Sequence, residues 1–429
     1  MNCHFQIFRD DDWVDCAEVT LIEAAGGNPR RPAIFEYDLN YAFQTGVEPV
    51  SLCFPVSAEM HMLKQWPAFL FDLIPQGGGR QYLLGELQLA DNAAADFPLM
   101  CAGAFNPIGR VRVAEAAAYY KNHVIRHDTG APLKGFSMED IIGRGEAFSE
   151  DMLIHAMLTT GSLGVQGAAP KYLLTTDQQG LWHADAALPD SQAAEHFIVK
   201  RARGKADADH KVLRNEAAYM KVAAAMGLRT IGTPRYLDDT LFIPRFDRLV
   251  RHGKVQRLHQ ESAASLAGIV GFDNTPSQFE LLSAIRAVVT DPTGETIEFL
   301  KRDVLNLAMR NTDNHARNTA VQVLGDTVRL TPLFDFAPMY LDPAGIARAA
   351  RWYQPGTRQE LHEWRPILDA LEIDDAERDV IGLALHGFSV QLSALERHMK
   401  AAGVDDDIVA FLQPHIATQI QQLQTLKAS

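Results

Sequence analysis

The sequence predicts an α+β protein in which strands dominate the amino-terminal part and helices dominate the carboxyl-terminal part. Two observations support this prediction. Before Ser262, short apolar runs bounded by Gly, Pro and Asn recur and indicate strands, with one long helical segment among them. After Ser262, most apolar residues recur at helical spacing and indicate helices. The length, 429 residues, corresponds to two or three compact units.

The predicted strands of the amino-terminal half fall into two groups. The first group occupies residues 31–37, 49–55 and 110–113, and residues 69–87 between them are typical of two helices around a glycine-rich break. Residues 114–150 are weakly patterned, so a domain boundary is predicted there. The second group occupies residues 171–176, 180–184 and 196–200.

The remaining elements are one helix, a strand pair, a hairpin and a helical tail. The helix is predicted over residues 209–226, because apolar side chains recur at helical spacing and Gly227 supplies a stop. The strand pair occupies residues 233–237 and 240–246. Alternating apolar residues around Gly325–Asp326 predict a hairpin over 319–334. The tail is predicted to contain amphipathic helices that start near Asp374, Ser389 and Asp405.

Composition narrows the functional classes. Forty Lys and Arg against 54 Asp and Glu give a formal net charge of −14, which disfavours tight binding of a phosphate backbone by the whole surface. The four cysteines form no C-x-x-C pair and are interpreted as reduced thiols. No signal peptide is expected, since Arg9 and three aspartates lie in the first twelve residues. The weakly charged residues 155–174 are not expected to span a membrane, because glycines interrupt them. A cytoplasmic protein is predicted.

The chemistry is concentrated in residues 302–323, where a helix is followed by a polar loop. Asp313 and Asn318 in this loop have the spacing D-x-x-x-x-N. Protein kinases use this spacing, with the Asp positioning the acceptor hydroxyl and the Asn binding magnesium. The loop residues are also types that turns and helix caps favour, so a purely structural role is the alternative.

Three further residues complete a kinase-like order. Asp335 follows the predicted hairpin and can supply a second oxygen ligand for Mg²⁺. Lys200 ends a predicted strand, as does the kinase lysine that contacts the ATP phosphates, and Glu216 lies in the next helix, where it can pair with Lys200. Each residue alone is compatible with an ordinary surface role.

These residues belong to longer motifs, and with them the chain resembles the HipA family of serine/threonine kinase toxins of type II toxin–antitoxin systems. The matching segments, in family order, are GVQGAAPKYLL, FIVK, NEAAYMKVAAAMGL, IPRFDR, RLHQESAASLAG, NTDNHARN and LTPLFDFAP. Two earlier segments, FEYDLNYAFQTGVEPVSLCFPV and FLFDLIPQ, resemble the amino-terminal subdomain of the family. The resemblance therefore covers nearly the whole chain.

The resemblance implies a two-lobed, protein-kinase-like fold and assigns roles to residues. The implied domains are a β-rich amino-terminal subdomain (1–145), a kinase N-lobe (146–246) and a helical C-lobe (247–429). Asp313 would be catalytic, Asn318 and Asp335 would hold Mg²⁺, and Glu216 would pair with Lys200. The implied ATP-binding residues, besides Lys200, Asn318 and Asp335, are Gly164, Val165, Gln166, Gly167, Lys171, Pro244, Arg245, Phe246 and His315.

Several of these assignments have alternatives. The alternative for His315 is a structural loop histidine, and for Arg245, Asp247 and Arg248 it is an ion-paired structural role. Ser162 is the candidate for the autophosphorylation that releases the phosphate loop in family toxins, although the loop here carries extra residues between Gln166 and Lys171. The implied cofactors are ATP and Mg²⁺.

The resemblance also implies partners. They are a cytosolic protein substrate, with an aminoacyl-tRNA synthetase as the candidate, and a small DNA-binding antitoxin, through which alone the protein would reach DNA. No membrane partner is expected. The alternatives are a non-toxic kinase of the same fold with another acceptor, and a catalytically inactive interaction scaffold.

Overall fold

A computed structural model of the protein describes residues 1–22, 30–127, 134–155, 171–202 and 204–426. The chain divides into two compact units. The first unit comprises Met1–Arg203 and Leu237–Phe272, and the second comprises Gly204–Tyr236 and Asp273–Ser429. The three-part division inferred from the sequence stays a prediction.

An antiparallel five-stranded sheet begins the first unit. Its strands are β1 (Asn2–Arg9), β2 (Asp12–Leu21), β3 (Ala33–Tyr37), β4 (His61–Leu63) and β5 (Val111–Val113), in the order β4-β3-β2-β1-β5. Alternate residues of β1, among them Cys3, Phe5 and Ile7, are fully buried, so one sheet face forms a core. The associated helices are α1 (Leu39–Ala42), α2 (Gly77–Glu86), α3 (Asp96–Gly103) and α4 (Ala114–His127).

A second antiparallel sheet follows in the same unit. Its strands are β6 (Lys171–Asp177), β7 (Trp182–Ala184), β8 (Ala193–Arg201) and β10 (Thr240–Pro244), in the order β7-β6-β8-β10, and β9 (Arg235–Leu237) spans the boundary between the units. Aromatic side chains dominate the core of this sheet, with Trp182 packed against Phe197 and Phe242. The remaining elements are α5 (Met138–Gly143), α6 (Glu146–His155), β11 (Arg248–Arg251), β12 (Lys254–Arg257), β13 (Gln260–Ser262) and α8 (Ala263–Leu266).

The second unit is mainly helical. It contains α7 (Asp207–Ala225), α9 (Gln278–Arg286), α10 (Pro292–Ala308), the hairpin β14 (Ala320–Leu324) and β15 (Thr327–Leu330), α11 (Trp364–Asp369), α12 (Asp375–Leu392), α13 (Leu395–Ala402) and α14 (Asp406–Gln424). Helix α10 begins where the Asp291 side chain accepts the Gly294 N–H, with Pro292 in the first turn. In the described part of the chain, no helix has the length and apolar character needed to cross a membrane.

The structure confirms several predicted elements and corrects others. The hairpin turns at Gly325–Asp326 as predicted, and α7 matches the predicted helix within two residues. Residues 49–55 were predicted as a strand, but they form turns. The Tyr37 hydroxyl explains this difference, because it donates to Phe54 O (2.5 Å) and accepts from Val50 N–H (3.2 Å) in place of a strand partner.

In one segment the helices were not predicted, and in another a helix start was predicted at the wrong residue. Described residues of the weakly patterned segment 114–150 form α4, α5 and the start of α6, and the Ser137 hydroxyl and the Asp140 carboxylate cap α5 reciprocally. Ser389, predicted near a helix start, lies inside α12, because its hydroxyl donates to His386 O within the helix (2.6 Å) and does not cap a new one.

Candidate active site

The polar loop of the second unit begins at the end of α10. Arg310 has a left-handed backbone (φ 55°), which turns the chain out of the helix. The Asn311 N–H then donates to Asn306 O at 3.0 Å. From α7, the buried Tyr219 hydroxyl donates to Met309 O at 3.1 Å. Hydrogen bonds of Met309 and Asn311, the residues before and after Arg310, therefore hold the start of the loop in place at the end of α10.

Asp313 and Asn318 are joined by the hydrogen bonds of this loop. The Asn318 side-chain NH₂ donates to the backbone oxygen of Asp313 at 2.9 Å, and the Asn318 N–H donates to His315 O at 2.8 Å. Asn314 fastens the loop to the following segment, since its amide donates to Ala350 O (2.7 Å). The Asp313 carboxylate is left about one quarter exposed, at 28%. Asn314 thus has the structural role that is expected of a turn residue, whereas the Asp313 side chain stays accessible to solvent.

Asp335 lies in the same pocket as Asp313 and Asn318. Its backbone is left-handed (φ 50°), and the adjacent Phe336 is fully buried against Tyr219, with ring centroids 5.3 Å apart. The three residues line a solvent-open pocket of about 510 Å³. The structure therefore brings together three side chains that the sequence places up to 22 residues apart.

The side chains in this pocket fit magnesium. Asp335 offers a carboxylate and Asn318 an amide oxygen, which are hard ligands of the kind Mg²⁺ prefers. A further acceptor in the pocket, Asn311 Oδ1, is buried without a hydrogen-bond partner. Among the described residues no group of three or more His, Cys, Asp or Glu side chains could hold a metal. Two protein ligands that leave positions for water and phosphate oxygens are the arrangement Mg²⁺ usually accepts.

His315 caps a single turn of 3₁₀ helix at Ala316–Asn318. Its Nδ1 accepts the Arg317 N–H at 3.3 Å, so the neutral ring carries its proton on Nε2. Nε2 lies 3.7 Å from Asp313 Oδ1. The structure thus supports a role for His315 in shaping the loop, and its predicted contact with ATP stays a prediction.

Two predicted phosphate-binding lysines meet on the second sheet of the first unit. Lys171 on β6 and Lys200 on β8 are paired residues of adjacent strands, and they are 5% and 4% exposed. Directly paired residues point to the same face with Cβ atoms about 5 Å apart. The two lysine side chains therefore start from the same face of this sheet, and their predicted contact with ATP phosphates stays a prediction.

Glu216 lies on α7 of the second unit and is 6% exposed. Its pairing with Lys200 stays a prediction. Ser162, Gly164, Val165, Gln166 and Gly167 lie outside the described residues.

Arg245 belongs to a buried ion network of the first unit. Its guanidinium is 0% exposed and donates to Asp185 (2.8 Å) and to both oxygens of Asp247 (2.7 and 2.9 Å). Its backbone N–H donates to His196 O at 2.8 Å. These contacts favour the ion-paired alternative for the Arg245 side chain, and the predicted nucleotide contact of residues 244–246 is neither supported nor excluded by them.

Asp185 and Asp247 are the buried carboxylates of this network. Asp185 also accepts from Asn106 Nδ2 (2.6 Å) and contacts His196 Nδ1 (2.6 Å). Asp247 accepts the Gly109 N–H at 2.9 Å and pairs with Arg248 at 2.5 Å. The network therefore joins the loop before β5 to the strands of the second sheet.

Sequence reasoning missed Asp185 and His196 as members of this network. The charged triplet Arg245, Asp247 and Arg248 beside an apolar strand was the available signal in the sequence. Nothing in the local sequence around Asp185 distinguishes it from a surface residue.

The network changes the pKa values of its members. Burial opposes ionisation of Asp185, but the positive charge of Arg245 and the contact with the His196 ring outweigh it and hold the pKa of Asp185 well below its usual value. The pKa of Asp247 is lowered in the same way by Arg245 and Arg248. Burial, followed by the nearby charge of Arg245, lowers the pKa of Arg248 to about 9, so Arg248 is still charged at neutral pH.

Acid is expected to destabilise the protein through these two carboxylates. Because their folded pKa values lie below the unfolded value of about 3.9, their stabilisation is complete near neutral pH and is lost as the pH falls through about 4 toward the folded pKa. Urea denaturation between about pH 7 and about pH 3 should give a free energy of unfolding that decreases mainly below about pH 5. A constant free energy over that range would contradict the assignment.

Comparisons with known proteins agree with the motifs. The family model described as HipA-like C-terminal domain matches residues 163–386, and the model described as HipA N-terminal domain matches residues 16–114. A search of curated proteins found no match.

Solved structures show a related fold. The chain is similar to HipA of Shewanella oneidensis MR-1, solved in complex with HipB and its operator DNA. The sequences are 17% identical, the match covers 99% of this chain and 97% of that chain, and the TM-score is 0.63. A match to the Helicobacter pylori proinflammatory kinase CtkA has 12% identity, covers 54% of this chain and 88% of that chain, and has a TM-score of 0.38. The first of these similarities confirms the predicted fold class.

Proposed function

This chain belongs to the HipA family, and from that membership we propose that it is an ATP- and Mg²⁺-dependent serine/threonine protein kinase of the toxin class. The observation that carries the proposal is the convergence of Asp313, Asn318 and Asp335 on one pocket of the second unit. An inactive scaffold would not need a carboxylate, an amide oxygen and a second carboxylate together at a solvent-open site.

Each residue has a distinct role in the proposed reaction. Lys171 and Lys200 would neutralise phosphate charge, which favours binding of ATP. Asn318 and Asp335 would hold Mg²⁺, which when bound neutralises charge on the phosphates. Asp313 would orient a Ser or Thr hydroxyl toward the γ-phosphate and accept its proton.

The partners are proposed from the relative in the same family. HipA of Shewanella oneidensis MR-1 was solved with HipB and operator DNA, and we extend that association to a small DNA-binding antitoxin for this chain. The net charge of −14 supports indirect contact with DNA, because the chain itself repels phosphate. The proposed acceptor is a cytosolic protein, with an aminoacyl-tRNA synthetase as the candidate.

The function is tested by incubating the purified protein with Mg-ATP and measuring its intact mass, followed by peptide mapping. Incorporation of a phosphoryl group, dependent on Mg²⁺, is the expected result. A phosphoryl group on Ser162 would support autophosphorylation of this serine as a regulatory step. A phosphoryl group on another residue would support the kinase activity but reject Ser162 as its regulatory site. Absence of incorporation together with absence of ATP binding by calorimetry would contradict the proposal. Growth arrest on expression separates a toxin from a non-toxic kinase.

Lys200→Met is expected to lower kcat/KM for ATP by about 100-fold, because the buried ammonium group that neutralises phosphate charge is lost. The measurement is initial rate against ATP concentration, with a melting curve to verify folding. Lys205→Met is the matched control, since Lys205 is exposed. Equal kcat/KM values for the two variants would contradict the proposed role of Lys200 in binding ATP.

A further inference from the structure

Two of the four free cysteines meet in the core of the first unit. Cys3 lies on β1 and is fully buried, and Cys101 lies on α3 and is partly buried against the same core. The two thiols form a hydrogen bond with each other. The fold therefore joins two sulfur atoms that lie far apart in the chain.

Contacts that do not involve sulfur place the end of α3 beside β1. The Val113 N–H on β5 donates to Ala104 O, just beyond α3, at 2.9 Å, and Val113 is paired with Phe5 of β1. Cys101 precedes Ala104 by about one helical turn. Cys3 lies on the same buried face of β1 as Phe5. The contact between the two thiols therefore follows from the way in which α3 is attached to the sheet.

The other two cysteines have different partners. The Cys16 thiol donates to Phe5 O at 3.2 Å, and the Cys53 thiol donates to Leu266 O at 3.6 Å. Burial raises the pKa of both thiols, that of Cys53 to about 11, which makes the reactive thiolate form scarce at neutral pH. Cys3 and Cys101 are therefore the pair whose positions favour oxidation to a disulfide.

We propose that Cys3 and Cys101 form a reversible intramolecular disulfide when the protein reacts with hydrogen peroxide. Cys101 reacts first, because its side chain is partly exposed whereas Cys3 is fully buried. The Cys101 thiolate attacks one peroxide oxygen, the O–O bond breaks, and a sulfenic acid forms on Cys101. The other peroxide oxygen leaves as hydroxide and takes up the proton that the Cys101 thiol released.

Cys3 completes the disulfide. Its sulfur attacks the sulfenic acid on Cys101, so that the S–S bond forms and the S–O bond breaks, and the hydroxyl leaves with the Cys3 proton as water. The two thiols are thus oxidised by two electrons, and one peroxide is reduced to two molecules of water. The hydrogen bond with Cys101, together with burial, raises the pKa of the Cys3 thiol well above its ordinary value, so Cys3 keeps its proton until this step.

The disulfide has a structural consequence. It joins β1 to α3 and closes most of the amino-terminal sheet and its helices into one covalent loop. A cross-link across so long a loop restricts the unfolded chain, so the oxidised protein should unfold at a higher urea concentration than the reduced protein. The inference is independent of the proposed kinase activity, because neither ATP nor the candidate active site takes part.

Thiol counting tests the proposal on the full-length protein. After treatment with hydrogen peroxide, the protein is denatured, alkylated with N-ethylmaleimide and analysed by intact mass and non-reducing peptide mapping. The untreated protein should carry four maleimide groups, one for each cysteine, and the oxidised protein two fewer, with the peptides of Cys3 and Cys101 cross-linked. Dithiothreitol should restore all four thiols. Four free thiols after peroxide, a sulfinic acid on Cys101 beside a free Cys3, or a disulfide that includes Cys16 or Cys53 overturns the proposal.

Substitutions separate the two steps. Cys101→Ser should abolish the cross-linked peptide, whereas the matched control Cys53→Ser, which removes the exposed thiol, should form it at the wild-type rate. Cys3→Ala should stop the reaction at a sulfenic acid on Cys101 that dimedone traps, and a melting curve verifies that this core variant folds. Cross-linking that is lost in Cys53→Ser would show that Cys53 carries the oxidation, against the assignment to Cys101.

Discussion

Asp313→Ala is expected to lower the rate of phosphoryl transfer about 1,000-fold while leaving the dissociation constant of ATP within about 3-fold of wild type. Asp313 would act on the acceptor hydroxyl, whereas ATP would be held mainly by Lys171 and Lys200 and by the magnesium ligands. The loop itself should survive the substitution. Asn318 donates to the backbone oxygen of Asp313, which alanine retains.

The experiment measures single-turnover phosphorylation and ATP binding by calorimetry on the same preparation. Asp326→Ala is the matched control, because Asp326 is an exposed aspartate at the tip of the β14–β15 hairpin in the same unit. It should transfer phosphate at the wild-type rate. Comparable turnover in the Asp313 and Asp326 variants would refute the catalytic assignment. Loss of ATP binding in the Asp313 variant would instead indicate that Asp313 acts in binding ATP.

Asp247→Asn is expected to reduce the free energy of unfolding by about 3–5 kcal/mol. Asp247 is 2% exposed and neutralises Arg245 and Arg248, so its loss leaves two buried guanidinium groups with reduced compensation. The amide also loses part of the charge-assisted hydrogen bond from the Gly109 N–H. Urea denaturation followed by circular dichroism gives the change.

An exposed ion pair of the same unit provides the comparison. Asp11 and Lys254 form a salt bridge in which the two side chains are 49% and 69% exposed. Asp11→Asn should therefore cost at most about 1 kcal/mol, since solvent screens the pair. Similar losses in the Asp11 and Asp247 variants would show that the buried network contributes no more than a surface pair.

A substantial part of the site was predictable from the sequence. Asp313 and Asn318 lie in one loop, and Asp335 follows a hairpin whose turn is marked by Gly325, so the chain itself keeps these residues near one another. Spacing, turn residues and the order of motifs carry that information. The same kind of local signal located α7 and the end of α10.

The strand wrongly predicted at residues 49–55 and the ion-paired environment of the Arg245 side chain both depend on residues distant in the chain. Residues 49–55 have strand-like composition, but their backbone groups are satisfied by the side chain of Tyr37, which lies on another element. Arg245 stands in a motif associated with nucleotide binding, yet its guanidinium is enclosed by Asp185, which lies 60 residues earlier in the chain. Local composition carries no information about such distant partners.

By itself, the sequence determined the family, the two-lobed α+β class and the loop that holds Asp313, because each depends on residues at short, fixed separations. Only the tertiary structure decided that Lys171 and Lys200 are paired residues of adjacent strands and that Asp185 closes a buried ion network. Strand register and burial decide these features. Both are properties of packing between elements distant in the chain, and no local pattern of residue types specifies them.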